Sequence, residues 1–380
     1  MKLSHLLIAA TAICSAAPTA QADDFDLGSQ RSEIQEFNKV PGHRIDRQGA
    51  PVINPTPRSM KLDGGTLRIA DGFKLADKRK RFGSDVDFLS INRKGTPLTI
   101  DFGRDKNIPA EGYLLTVTPN GVTISGADER GAFYGLQTLR QLLEQYPAEL
   151  PLLTISDYPA LPHRGVVEGF YGTPWSHPVR LSLIDFYGII KLNDYIYGPK
   201  DDPYHSSPYW RQPYPAEQAQ RIRELVDASR RARVNFVWAI HPGKDIRWDK
   251  ADYDSLVNKL DMMYDLGVRD FAVFFDDIEG IGTDPARQAA LVNDLPRDFV
   301  NRKGNVGDIM ICPTDYSQLW AKPGPEGPLA VYGRDLTDRA EVFWTGAVVC
   351  SDLTPETLDF VNSRIKRPAL FWWNFPVSDY

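Results

Sequence analysis

The sequence predicts an eight-stranded (β/α) barrel of the TIM type, preceded by a small α+β domain. Three observations lead there. After Pro159, short β-branched and aromatic runs alternate with amphipathic stretches at 30–40-residue spacing, the rhythm of a parallel sheet with helices outside it. Consecutive runs end in polar or aromatic residues, EGFYG, YGPKDD, IHPGKD, FFDDIE, CPTDY, WTG and WWN. A barrel gathers such strand ends at its C-terminal face, where active sites sit. No glycine-rich phosphate loop follows the first run, which argues against a nucleotide-binding doubly wound sheet.

Taken in order, residues 1–22 read as a signal peptide. Lys2 is a short positive region, Leu6 to Ala17 is a 12-residue apolar stretch, and Ala20-Gln21-Ala22 has the small-x-small form of a cleavage site. Cys14 lies inside that stretch without a lipid-attachment signal before it. The stretch is too short to span a bilayer, and no later run reaches ~18 apolar residues. Cleavage after Ala22 and export to the periplasm or the extracellular space are expected, with no membrane anchor. Residues 23–48 are polar and aperiodic and read as a tether. Residues 49–159 form the α+β domain. Strands are legible at Gly65–Ile69 and Leu98–Ile100, followed by a hairpin of GYLLTVT and VTISG turning at Pro119-Asn120-Gly121. A helix over Gly131–Gln145 carries Phe133, Leu136, Leu139 and Leu142 on one face.

Residues 160–380 form the barrel. Its strands are expected at Gly165–Phe170, Tyr195–Tyr197, Asn235–Ile240, Asp270–Phe275, Asp308–Cys312, Glu341–Trp344 and Ala369–Trp373. Helices are expected at Ala216–Ala232, Ala251–Leu266 and Pro285–Lys303. Seven strands stand against the eight a closed barrel requires, so the barrel is expected to be C-terminally incomplete.

Composition excludes several classes of function. The 380 residues are 42% hydrophobic and 25% charged, as in an ordinary globular protein. A formal charge of −6 from 44 basic and 50 acidic residues speaks against a nucleic-acid partner. The 8 tryptophans and 16 tyrosines suit a protein that stacks flat faces on ligands. Cys312 and Cys350 sit in apolar contexts, DIMICP and GAVVCS, and are expected as two buried free thiols. His163, His177 and His241 read as structural, and His43 as a surface residue. Lys200-Asp201-Asp202 with His205 superficially suggests a metal site. The chain has no His-Glu-x-x-His, Cys-x-x-Cys or calcium-loop spacing, and no Gly-x-Ser-x-Gly elbow. Neither a metal, a cofactor nor a serine nucleophile is therefore expected.

The strongest single feature is FAVFFDDIEG. An apolar run makes a buried strand, and Asp276 and Asp277 stand at its end. Neighbouring strand residues point to opposite faces, but a chain already turning at Asp277 brings both carboxylates to the mouth. Two close carboxylates resist joint ionisation, so one is expected to rise and serve as an acid near neutrality. That is equipment for cleaving a glycosidic bond. Adjacent residues on one strand end do not flank a sugar as the two carboxylates of an ordinary glycosidase do. They suit a substrate that supplies its own nucleophile. Phe170-Tyr171, Trp344 and Trp372-Trp373 fall at the same expected face and suggest a sugar-stacking pocket. Lys200, Asn374 and Asp379 are suitable partners for sugar hydroxyls.

Five segments, RGVVEGFYGTPW, NDYIYGPKDDPYH, FAVFFDDIEG, WTG and WWNFPVSDY, together resemble glycoside hydrolase family 84. These are the β-N-acetylglucosaminidases that include bacterial hyaluronidase-like enzymes and protein O-GlcNAc hydrolases. EGYLLTV and GAFYGLQTLRQLL in residues 50–158 resemble the small domain that precedes the barrel in this family and in family 20 hexosaminidases. The resemblance implies retention through an oxazoline, with Asp276 steering the substrate acetamido group and Asp277 acting as acid and then base. It implies that Gly169 and Lys200 contact the sugar and that Tyr316 bonds near the reacting centre. Thr345 would line the acetamido pocket, Trp372, Asn374 and Asp379 would close around the ring, and Tyr171 and Val349 would shape the walls. Glycans or glycoproteins bearing N-acetylglucosamine are the implied partners. The family pattern continues past the Asp-Tyr pair into a further strand, matching the missing eighth strand. Two alternatives stand beside this reading. One is a family 20 type hexosaminidase, which uses an Asp-Glu pair where this chain has Asp276-Asp277 and a loop residue, Glu279. The other is a non-catalytic sugar-binding protein.

Overall fold

The computed structural model describes residues 50–321, 324 and 327–374. The expected signal peptide, the segment 23–48, His43 and Asp379 lie outside the described residues.

The first domain is a six-stranded sheet in the order β1-β6-β4-β5-β3-β2. Its strands are β1 (Ser59–Arg68), β2 (Phe73–Asp77), β3 (Thr96–Phe102), β4 (Tyr113–Thr118), β5 (Gly121–Gly126) and β6 (Glu149–Asp157). The hairpin β4–β5 turns where expected, and Gly121 takes φ +137° beside the Pro97 carbonyl, where a Cβ would clash. Helix α1 (Glu129–Gln145) starts two residues earlier than the periodicity predicts, because the Asp128 side chain caps it by accepting from Gly131 N at 2.8 Å. Leu136, Leu139 and Leu142 bury its apolar face in the domain core.

Sequence patterning misses β2 and β6. Pro151 argues against a central strand, yet β6 lies between β1 and β4. The sheet accommodates the proline where β1 shifts register between Leu62 and Thr66, at Gly64 and Gly65 with φ +75° and +83°.

The second domain carries seven parallel strands in sequential order. They are β7 (Gly165–Glu168), β8 (Asp194–Tyr197), β9 (Asn235–Ile240), β10 (Asp270–Phe274), β11 (Ile309–Cys312), β12 (Ala340–Trp344) and β13 (Leu370–Phe371). Between them lie α2 (His177–Ile189), α3 (Ala216–Ala232), α4 (Lys250–Asp265), α5 (Pro285–Leu295), α6 (Pro328–Asp335) and α7 (Pro355–Ile365). Every barrel strand read from the sequence is present. The helix expected through Lys303 widens at Pro296, whose ring cannot supply the next helical N–H, and regains one turn at Asn301–Lys303. Among the described residues β7 pairs with β8 and β13 with β12, and no ladder joins β7 to β13.

Alternation sorts each strand into two layers. Phe236, Trp238, Ile240, Phe271, Val273 and Phe275 face the helices. Ile196, Val237, Ala239, Ala272, Phe274, Met310, Cys312 and Phe343 fill the barrel interior, with Trp372 packed on Phe274 and Phe343 at ring separations of 5.6 and 5.5 Å.

Candidate active site

The interior parity of β10 runs Ala272, Phe274, Asp276, so Asp276 enters the barrel mouth from the strand itself. Asp277 would point outward on an ideal strand. Its φ of +53° puts it in the left-handed region and turns the carboxylate back over the mouth. Asp276 is only 5% exposed, whereas the Asp277 side chain is 33% exposed. The two acids differ in environment although they are neighbours in sequence.

Lys200, on the loop after β8, holds them together. Its Nζ donates to Asp276 Oδ2 and lies 3.5 Å from Asp277 Oδ2. Burial would lower the Lys200 pKa, but the two carboxylates more than offset this and raise it. Burial likewise works to raise Asp276, and the charge of Lys200, the neighbouring His241 and the Lys200 hydrogen bond hold it below the ordinary carboxylate range. A buried ammonium against both acids thus keeps Asp276 ionised despite its like-charged neighbour.

Asp277 accepts from Tyr316 OH at 2.7 Å and Tyr171 OH at 2.9 Å. Burial and the Asp277 carboxylate raise both phenols, Tyr171 to about 12, so each remains a donor. Asp276 Oδ1 is buried and has no hydrogen-bond partner among the described residues. A buried carboxylate oxygen left open is costly unless something donates to it.

These groups floor a cavity of about 410 Å³. Gly169, Tyr171, Tyr316, Thr345, Val349, Trp372 and Asn374 all line it with the two acids. The structure therefore brings together every described residue that the family resemblance assigns to the site, with Lys200 bonded to the acids without lining the cavity itself. Gly169 has a specific reason to be glycine, since a Cβ there would meet the Trp372 ring at 2.9 Å. Thr345 accepts its place from the zipped loops: its N–H donates to Tyr316 O at 2.9 Å and its hydroxyl to the same oxygen at 3.3 Å. Asn374 is tied to the opposite loop through Val349 O at 2.9 Å.

Two expectations are corrected here. Trp344 is not at the mouth. Its β12 parity points it outward, where it is fully buried, stacks on Phe360 at 5.9 Å and donates to Thr357 Oγ1 at 3.0 Å. Cys350 is exposed and lines the cavity, because GAVVCS is a loop beyond β12 rather than core. Cys312 is buried as expected but also lines the cavity. Interior parity through Met310 and Cys312 carries the signal that would have placed it there. Glu279 is an exposed loop residue. Among the described residues no group of three His, Cys, Asp or Glu side chains is arranged to hold a metal. His205 instead turns Nδ1 to Ala239 O at 3.1 Å.

Residues 164–380 match the family model described as beta-N-acetylglucosaminidase. The chain belongs to this family, glycoside hydrolase family 84. Residues 50–158 match the second domain of glycosyl hydrolase family 20. As a family 84 chain it is 34% identical over 229 residues to a protein named protein O-GlcNAcase from Rattus norvegicus, covering 57% of this chain and 24% of that one. It is 27% identical over 178 residues to a beta-hexosaminidase of Vibrio vulnificus, covering 45% and 21%. The solved structure of CpGH84B superposes with a TM-score of 0.81 at 33% identity, covering 87% of this chain and 63% of that one. For a mutant O-GlcNAc hydrolase of Thermobaculum terrenum the TM-score is 0.52 at 33% identity, covering 58% and 49%. The chain spans about a quarter of the length of these two curated relatives.

Proposed function

We propose that the chain is an exported, retaining β-N-acetylglucosaminidase that removes terminal β-linked N-acetylglucosamine from glycans or glycoproteins. The observation that carries this reading is the unequal acid pair: a buried, ionised Asp276 with one open oxygen beside a partly exposed Asp277 in an aromatic pocket. The open Asp276 Oδ1 accepts the acetamido N–H and makes the acetamido oxygen more nucleophilic. That oxygen attacks the anomeric carbon as the bond to the leaving oxygen breaks, and Asp277 gives the leaving oxygen its proton. An oxazoline results as the N–H proton passes to the Asp276 carboxylate, which returns it to nitrogen when the ring reopens. Asp277, now a carboxylate, takes a proton from water as the water attacks the anomeric carbon, which reopens the acetamide with net retention. Lys200 balances the charge of both acids through these steps. Export follows from the leader, with cleavage after Ala22 into the periplasm or the extracellular space. The Asp-Asp pair and the exposed Glu279 favour this reading over a family 20 type hexosaminidase.

The deciding experiment is hydrolysis of 4-nitrophenyl N-acetyl-β-D-glucosaminide by the chain from Asp23 to Tyr380, with a circular dichroism melt beside it. Turnover by the wild type that is lost in Asp276→Ala supports the proposal. A cooperative melt without turnover points instead to a non-catalytic sugar-binding protein. Mass spectrometry of the secreted chain tests the cleavage site, and an N-terminus other than Asp23 refutes it.

A further inference from the structure

Sequence patterning reads His241 as structural, and the mechanism above does not use it. Its surroundings give it a more specific task. His241 continues the interior parity of β9 through Val237 and Ala239 and is 2% exposed. Its Nε2 lies 2.7 Å from the Asp276 carbonyl oxygen and 3.5 Å from Asp276 Oδ1. A carbonyl oxygen only accepts, so Nε2 carries the proton and donates it.

That carbonyl belongs to the peptide joining Asp276 to Asp277. The orientation of this peptide plane sets φ at Asp277, and the value of +53° is what turns the second carboxylate into the mouth. Pinning the carbonyl therefore pins the left-handed turn, which an aspartate does not hold by preference. His241 is itself held from beneath. Its backbone N–H donates to His205 O at 2.8 Å, and the His205 ring packs edge-on against it at 6.2 Å. His205 is fixed in turn by its Nδ1 contact with Ala239 O. Loop β8 thus delivers Lys200 to the Asp276 carboxylate, and through His205 it also supports the imidazole that holds the Asp276 backbone.

Burial pushes both imidazoles down, His205 to about 4, so each stays neutral with one N–H already committed to a carbonyl. The second nitrogens, His241 Nδ1 and His205 Nε2, are buried bare acceptors without a partner among the described residues. With the N–H of each ring committed to a carbonyl and burial disfavouring a second proton, the geometry points to positioning rather than proton transfer.

We infer that His241 is a positioning residue that locks the Asp276–Asp277 peptide and so aims the Asp277 acid at the leaving oxygen. This inference rests on the glycosidase reading proposed above. The test compares wild type, His241→Ala and His241→Gln, the last keeping an amide N–H near the place of Nε2. The substrates are 4-nitrophenyl and phenyl N-acetyl-β-D-glucosaminide, with a melt for each protein. A misaimed acid is expected to lower kcat of His241→Ala by about 10- to 100-fold. The loss should be larger for the phenyl leaving group, which needs the proton more, with KM little changed and His241→Gln recovering most of it. Four results overturn the inference: wild-type kcat in His241→Ala, an equal loss on both substrates, a loss that only follows the folded fraction, or no recovery in a fully folded His241→Gln. Absence of turnover by the wild type defeats the glycosidase reading, and this inference falls with it. Wild-type turnover with an unaffected His241→Ala defeats the positioning role alone.

Discussion

Replacing Lys200 by methionine removes a cation that faces both acids while keeping nearly the same side-chain volume. The Lys200 and Asp276 side chains are each 7% exposed, so the substitution strands a buried charge. Breaking a buried pair from one side costs about 3–5 kcal/mol, a large part of the ~5–15 kcal/mol that holds a typical domain folded. The unit Val52–Tyr380 has roughly 330 residues, and at ~2.1 cal/mol/K per residue its unfolding entropy is about 0.7 kcal/mol/K. The expected fall in Tm at pH 7 is therefore about 4–7 °C.

The pH dependence gives the sharper test. In the wild type Asp276 is held below its ordinary value, so its contribution to stability is present above the unfolded pKa and is lost as pH falls through the folded one. In Lys200→Met both Lys200 contributions are lost and burial, the largest influence on Asp276, outweighs what remains and raises it, so the variant loses stability as pH rises through the raised value. The gap between the two melts should be wide at pH 7–8 and narrow towards pH 4–5. Hydrolysis of 4-nitrophenyl N-acetyl-β-D-glucosaminide should fail near neutrality, because a protonated Asp276 no longer polarises the acetamido group as a carboxylate does. Calorimetric melts across that range, run with the kinetic assay, decide the matter. A gap that stays constant with pH, or a variant that melts with the wild type at pH 7, refutes the reasoning.

Three further outcomes are expected. Asp277→Asn should lower kcat/KM for the phenyl glycoside by about 10²–10⁴-fold and for the 4-nitrophenyl glycoside much less; equal losses contradict its role as acid. Gly169→Ala, whose new Cβ would meet the Trp372 ring at 2.9 Å, should raise KM several-fold and cost about 1–3 kcal/mol from overpacking, and unchanged KM and melt would contradict that contact. His163 bonds Asp194 at 2.7 Å and Glu341 at 3.1 Å, and these partners raise it to about 10. The stability it contributes is complete below its unfolded pKa near 6.5 and is lost as pH rises through about 10. His163→Gln should therefore lower Tm at pH 7 and flatten the alkaline decline between pH 8 and 10, and parallel curves for the two proteins would count against it.

The parallel barrel, the strand that ends in Asp276 and Asp277, and the small domain's hairpin and helix are all legible in local patterning. Each of these rests on local periodicity or turn chemistry, which a few consecutive residues express without help. Interior parity was also present in the sequence: Gly169, Thr345 and Asn374 follow inward positions of their strands, as do Cys312 and His241, which were not read for the site. Strands β2 and β6 escaped because one is five residues long and the other carries Pro151, and only its neighbours in the sheet make room for that proline. Trp344 and Cys350 show the converse limit. Each lies within or beside a strand end, and whether such a residue faces helix, cavity or solvent depends on one step of alternation and on the loop beyond. The electrostatics of the site, by contrast, arise only when distant segments meet. Lys200 lies 76 residues before Asp276, and no spacing rule places its ammonium between two carboxylates. Burial makes that long-range contact strong enough to hold Asp276 below the ordinary carboxylate range, so the character of the acid pair belongs to the fold rather than to the motif.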